Sequence, residues 1–196
     1  MFGILSSLPG ALSQSFCSEQ VGEYSKVKNS IAVKVLPNCT LVLDDLDGLH
    51  SLDMSDPSNP TQLGILTGAT GNAFDTSKTD AFIIDWSDLK VVHFADPKNL
   101  TLRKKYENIE GRGIKILGNE SYIVGSLYQG GYGLEIDDIS NPDSITNLGK
   151  YSSLRGSPQS LVVSAKKVVY IAAGIQGQVI IDGKNSANPV FKSEFV

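Results

Sequence analysis

Apolar residues in this chain come in short bursts of four to six, as in Ile31-Ala32-Val33-Lys34-Val35, Val168-Val169-Tyr170-Ile171 and Gln178-Val179-Ile180-Ile181-Asp182. No window of ten or more residues carries apolar positions at i, i+3, i+4 and i+7, the stripe an amphipathic helix needs. Clusters of Gly, Pro, Asn, Asp and Ser separate the bursts. Such turn formers between short β-branched and aromatic runs predict an all-β chain with tight turns.

The bursts and turns repeat. The segments Asp56-Pro57-Ser58-Asn59-Pro60, Asp96-Pro97-Lys98-Asn99, Asn141-Pro142-Asp143-Ser144 and Asn185-Ser186-Ala187-Asn188-Pro189 recur about every 40–45 residues. Asp53, His93, Asp138 and Asp182 each stand three residues before a turn. Within each unit four strands are predicted. The first strands are Ile31–Val35, Ala73–Thr76, Gly113–Leu117 and Gln159–Val163. The second are Thr40–Leu43, Ala81–Asp85, Ser121–Gly125 and Val168–Ala172. The third are Leu49–Asp53, Lys90–Phe94, Leu134–Asp138 and Val179–Asp182. The fourth are Gln62–Thr67, Thr101–Tyr106, Asn147–Tyr151 and Val190–Phe195. Four strands per 40–45 residues is the period of a β-propeller blade, and blades must stack because one sheet cannot bury both of its faces.

The steps Gly48-Leu49 to Asn59-Pro60, Gly133-Leu134 to Asn141-Pro142, and Val168-Val169-Tyr170-Ile171-Ala172-Ala173 to Asp182 resemble the LVIVD repeat, a propeller-forming repeat of surface and secreted proteins. The second unit departs: Trp86-Ser87-Asp88-Leu89 replaces the Gly-Leu step and His93 replaces the Asp. The resemblance covers about residues 21 to 196. It implies a β-propeller of about four four-stranded antiparallel blades and says almost nothing of activity. The division expected is an arm or signal remnant over 1–20, then units of about 21–62, 63–101, 102–147 and 148–196. Val21-Gly22-Glu23-Tyr24 reads as an orphan fourth strand. The array is therefore a four-bladed ring closed with its help, or an open array, part of a larger propeller, whose bare edge invites self-association.

Lys plus Arg number 17 and Asp plus Glu 21, for a net charge of −4. That balance argues against nucleic acid as the main partner, since phosphate binding needs a basic surface. No stretch is long and apolar enough for a transmembrane helix. Phe2–Leu12 has the apolar character of a secretory core, but no Lys or Arg precedes it and Pro9-Gly10 interrupts it; an N-terminal arm is the other reading. Cys17 and Cys39 form a disulfide or remain two thiols.

No catalytic motif is present: no Gly-x-Ser-x-Gly, P-loop or dinucleotide fingerprint. In a propeller the strand 2–3 loops share a face with the loops joining blades. That face should carry Asp44, Asp45 and Asp47, then Asp85, Trp86 and Asp88, then the glycine-rich Tyr128-Gln129-Gly130-Gly131-Tyr132. Tyr128, Tyr132, Trp86, Asp45, Asp47 and Asp88 are the candidate ligand contacts. No cofactor is expected. Ca²⁺ is the one metal the carboxylates would suit, yet Gly48 in EF-hand register puts Leu43 at position 1 and Met54 at position 12. The repeated Asp53, Asp138 and Asp182 are expected to accept turn N–H groups. His50 and His93 lie in different phases of the repeat and are not expected to meet. The sequons at Asn38, Asn99 and Asn119 fall on turns of the opposite face. A non-enzymatic binding or adhesion module at the cell surface or outside the cell, with a protein or glycan ligand, is the leading reading. A glycan-acting hydrolase or lyase using the mouth carboxylates, and an intracellular scaffold in the cytoplasm, are the alternatives.

Overall fold

The protein is represented by a computed structural model that describes residues 20–127 and 130–196. Sixteen strands form four antiparallel sheets. Blade 1 is β1 (Ser30–Val35), β2 (Thr40–Asp44), β3 (Gly48–Asp53) and β4 (Thr61–Thr67). Blade 2 is β5 (Ala73–Ser77), β6 (Asp80–Ile84), β7 (Asp88–His93) and β8 (Thr101–Glu107). Blade 3 is β9 (Gly113–Leu117), β10 (Glu120–Ser126), β11 (Tyr132–Asp138) and β12 (Thr146–Leu154). Blade 4 is β13 (Ser160–Val163), β14 (Val168–Ala172), β15 (Gln178–Asp182) and β16 (Val190–Phe195). Strands pair in chain order within each blade, the all-β propeller predicted above. Each sheet takes as its fourth strand the stretch that follows its own Pro-containing turn, so blade 1 runs 30–67 and borrows nothing from residues 21–29.

The period-2 pattern sorts side chains onto two faces of each blade. Leu41, Leu43 and Leu49 face forward from blade 1 and meet Phe74, Ala81, Ile83 and Val92 on the rear of blade 2. Phe82, Ile84, Leu89 and Val91 face forward from blade 2 onto Ile114 and Ile123 of blade 3. Tyr122, Val124, Leu134 and Ile136 face forward from blade 3 onto Leu161, Val169, Ile171, Val179 and Ile181 of blade 4. Each fully buried aliphatic side chain contributes roughly 1.5–3 kcal/mol. Among the described residues, no buried apolar cluster joins blade 4 back to blade 1. The four blades form an open row.

The turns behave as the repeat predicts. Asp53 Oδ1 accepts the N–H of Ser55 at 2.8 Å, Asp138 that of Ser140 at 2.8 Å, and Asp182 that of Lys184 at 3.0 Å. A second tier repeats the bond: Asp56 accepts from Ser58, Asp96 from Lys98, Asn141 from Asp143 and Asn185 from Ala187. These are Asx turns, a local substitute for a backbone turn. His93, in the odd slot, instead places Nδ1 3.0 Å from Asp80 Oδ1.

Glycine permits close contact between blades 1 and 2 and between blades 3 and 4, whereas the equivalent place in β8 holds Lys104. A Cβ on Gly64 would lie 2.7 Å from the carbonyl oxygen of Pro97, and one on Gly149 2.4 Å from that of Ser186. Gly22 meets Pro57 in the same way, with its built Cβ 2.1 Å from the carbonyl oxygen. Val21-Gly22-Glu23-Tyr24 also aligns with Leu148-Gly149-Lys150-Tyr151 of β12. The orphan segment thus lies where the fourth strand of a preceding blade would, although it makes no strand pairing of its own. Tyr24 anchors it, donating its hydroxyl to Gln62 Oε1 at 2.6 Å and meeting the His50 ring edge-on at 6.4 Å.

Candidate functional site

The strand 2–3 loops and the connections between blades do share one face. Asp45 from the β2–β3 loop, Thr70, Gly71 and Asn72 from the blade 1–2 connection, and Asp85, Trp86 and Ser87 from the β6–β7 loop line a groove of about 300 Å³. Trp86 is 58% exposed at its rim. The Arg112 guanidinium sits 4.5 Å from the centre of its ring, a cation–π contact that fixes the indole. Arg112 in turn donates to Gln159 Oε1 at 3.1 Å, and Asn72 donates to the carbonyl of Gly111 at 3.0 Å.

The carboxylates of this face divide by environment. Burial opposes the charge on Asp44, yet the N–H groups of Lys28, Asn29, Leu46 and Asp47 all point at it and hold its carboxyl below the ordinary range. It is a structural anion for its loop. Burial likewise opposes Asp85, and the Lys90 ammonium at 2.5 Å with the N–H groups of Ser87 and Asp88 outweighs it. Asp88 is buried between Lys90 at 2.7 Å and Lys105 at 2.8 Å. Asp47 faces Lys28 at 3.4 Å. Asp45 is exposed and makes no side-chain bond among the described residues. Of the six candidate contacts, the groove therefore brings together Asp45 and Trp86. Asp88 does not line it and is buried against two lysines.

Tyr132 opens β11 opposite Leu154 and packs, half-buried, against the blade 3–4 core. Tyr128 lies outside the described residues, as do Cys17 and the secretory-like stretch Phe2–Leu12. Cys39 is buried in the first core, and burial raises its thiol pKa. Among the described residues, no three His, Cys, Asp or Glu side chains converge as a metal cage. His50 is fully buried on the rear of blade 1, and among the described residues neither ring nitrogen makes a hydrogen bond; burial lowers its pKa, against the pull of Asp47. The two histidines stay apart on separate partners. Asn38, Asn99 and Asn119 are exposed on the β1–β2, β7–β8 and β9–β10 turns, at the end of the blades opposite the groove. No described helix is long and apolar enough to cross a membrane.

Sequence reasoning missed Arg112, Asn72 and Gln159. Each donates its backbone N–H to the second strand of its own blade immediately before the first strand begins: Asn72 to Ile84, Arg112 to Val124, Gln159 to Ala172. The signal was a polar residue in the same slot of three successive units, overlooked because at 72 and 112 the slot lies outside the expected strands and at 159 it was read as the first residue of one.

The profile of the LVIVD repeat matches residues 30–67, the whole of blade 1. The resemblance read from the sequence stands, and the fold defines a β-propeller repeat protein. No curated protein matches the chain. Solved structures superpose on it at low identity. A protein from Lactobacillus plantarum has a TM-score of 0.68 at 14% identity, over 85% of this chain and 55% of its own. The N-terminal domain of Nup159 gives 0.56 at 13%, over 85% and 48%. The extracellular domain of a B. thetaiotaomicron protein described as a hybrid two-component system gives 0.60 at 11%, over 91% and 23%. At these identities the likeness is one of fold. The chain spans about half the length of the first two, and about a quarter of the third.

Proposed function

We propose that this chain is a non-enzymatic binding module that works outside the cell or on its surface, and that the groove beside Trp86 takes a glycan. The observation that carries this is a largely exposed indole, held by Arg112, above a floor of short polar side chains from two blades. An exposed rigid aromatic offers a flat apolar face at low entropic cost. Asp45, Asn72 and Ser87 supply acceptors and donors around it, the pairing a sugar ring presents from its own faces and edge. A hydrolytic pair of carboxylates, one of them protonated near neutral pH, has poor support here: N–H groups and Lys90 hold Asp44 and Asp85 below the ordinary carboxylate range, and Asp88 is engaged by two lysines. The extracellular setting is supported by the extracellular neighbour of the same fold and by three exposed sequons on the face away from the groove.

Trp86 is the only tryptophan in the chain, so its fluorescence reports on this groove alone. A glycan array followed by titration of the bound glycans should shift that fluorescence, and Trp86→Ala should weaken binding by about tenfold or more. A failure of every glycan to bind, or binding indifferent to Trp86→Ala, would remove the reading.

A further inference from the structure

The two ends of the open row carry the two halves of an interface that the chain already makes three times. Register makes Val33, Phe74, Ile114 and Leu161 equivalent, since each pairs with the same position of its second strand: Val42, Ile83, Ile123 and Ile171. Phe74, Ile114 and Leu161 are 6%, 2% and 5% exposed against the preceding blade, whereas Val33 is 65% exposed. Ile31 and Val35 stand exposed beside it on β1. Val33 and Ile31, with Tyr24, Val27, Val42 and Leu52, border an open apolar hollow of about 410 Å³. At the other end, Tyr170 and Ile180 occupy the forward positions that Tyr122 and Ile136 fill in blade 3, where both are fully buried. Ala172 and Gln178 stand where Val124 and Leu134 are buried. These smaller or more polar side chains leave a depression of about 270 Å³ bordered by Ser160, Val162, Tyr170, Ala172 and Gln178.

We infer that two copies of this chain associate head to tail, the forward face of blade 4 of one copy seated on the rear face of blade 1 of the other. The occupant follows from the repeat. Rear face on forward face is the contact made between blades 1 and 2, 2 and 3, and 3 and 4, and each copy presents one unused half of each kind. The protruding Val33 row meets a face with a hollow at the matching inner strand, and among the described residues neither hollow is lined by a charged side chain that would have to be desolvated. A heterologous contact that uses both ends closes in two copies if the rotation allows. A ring of two copies also has about the length of the solved propeller chains of which this chain spans 48% and 55%. One displacement is needed. Residues 21–24 hold the fourth-strand place on blade 1, tied by the Tyr24 contacts to Gln62 and His50, and must give way to the partner's β16.

The test is sedimentation equilibrium of the 196-residue chain over about 1–100 μM, the range a micromolar constant would populate. The expected species is a dimer. Val33→Asp and Gln178→Arg, at opposite ends and both on exposed side chains, should each return it to monomer with the circular dichroism unchanged. A monomer at every concentration overturns the inference. A dimer that survives Val33→Asp overturns it too. So does a dimer broken by Val33→Asp yet indifferent to Gln178→Arg, which would be a symmetric blade 1 contact. Glycan binding at Trp86 is read separately by fluorescence and does not depend on this outcome.

Discussion

Asp137 shows how a single side chain acquires a property its neighbours in sequence do not share. Burial in β11 pushes its pKa up to about 7 from an ordinary 3.8; the Asn147 amide and the Ser121 hydroxyl stabilise its charge while Glu135 opposes it. The folded state therefore binds a proton that the unfolded chain has lost. The stability this group contributes is complete below pH 3.8 and is lost as pH rises through about 7. Asp44, Asp85 and Glu120 act in the opposite sense, since their lowered values favour the folded state above the ordinary carboxylate range and fail it in acid. Urea unfolding of Asp137→Asn against the parent should show the variant gaining in relative stability between pH 4 and 7; parallel profiles would refute the assignment. Nothing in the residue type foretold this, because Asp137 and Asp138 are adjacent and identical. Strand alternation turns Asp137 into the sheet and leaves Asp138 outside, capping a turn.

The strand boundaries were legible almost to the residue: β9, β14 and β16 coincide with the expected segments, and the others differ by one to three residues at an end. Alternation and Asx turns are local, so short windows carry them. What a blade buries is less legible, since equivalent positions in different blades meet different surroundings. Ile114→Ala should cost about 2–5 kcal/mol, as large-to-small changes in a closed core do. Val33→Ala, at the equivalent place in blade 1, should cost about 0.5 kcal/mol or less in dilute protein where the chain is monomeric. Chemical denaturation of the pair distinguishes a buried interface from an open one. Gly149→Ala should lower the melting temperature, because its Cβ would sit 2.4 Å from the Ser186 carbonyl oxygen; an unchanged melting temperature would mean that the blade 3–4 contact tolerates separation.

In the molecule as a whole, the order of the four described blades is a consequence of repetition, and the sequence contained it. The candidate groove was half legible. Asp45 and Trp86 were expected on one face and are there, joined by residues of the adjoining connection. Arg112 was not foreseen, for it comes from a different blade unit than Trp86 and reaches the indole across the blade 2–3 boundary. Arg112→Ala should leave the fold intact and loosen the indole, seen as lower steady-state anisotropy of Trp86 fluorescence. Equal anisotropy in the variant would show that the ring is held by something else.

The amino-acid pattern alone specified an all-β chain, its sixteen strands, its turns and the period that groups them, since each rests on contacts between residues a few positions apart. The stacking of the blades settled the rest. It left three apolar interfaces and two open ends, sank Asp88 between two lysines, buried His50 beneath Tyr24, and set Arg112 on Trp86. Those outcomes depend on the angle and distance at which one sheet meets the next, and such a relation between residues some 20 to 50 positions apart is written only in the packed structure.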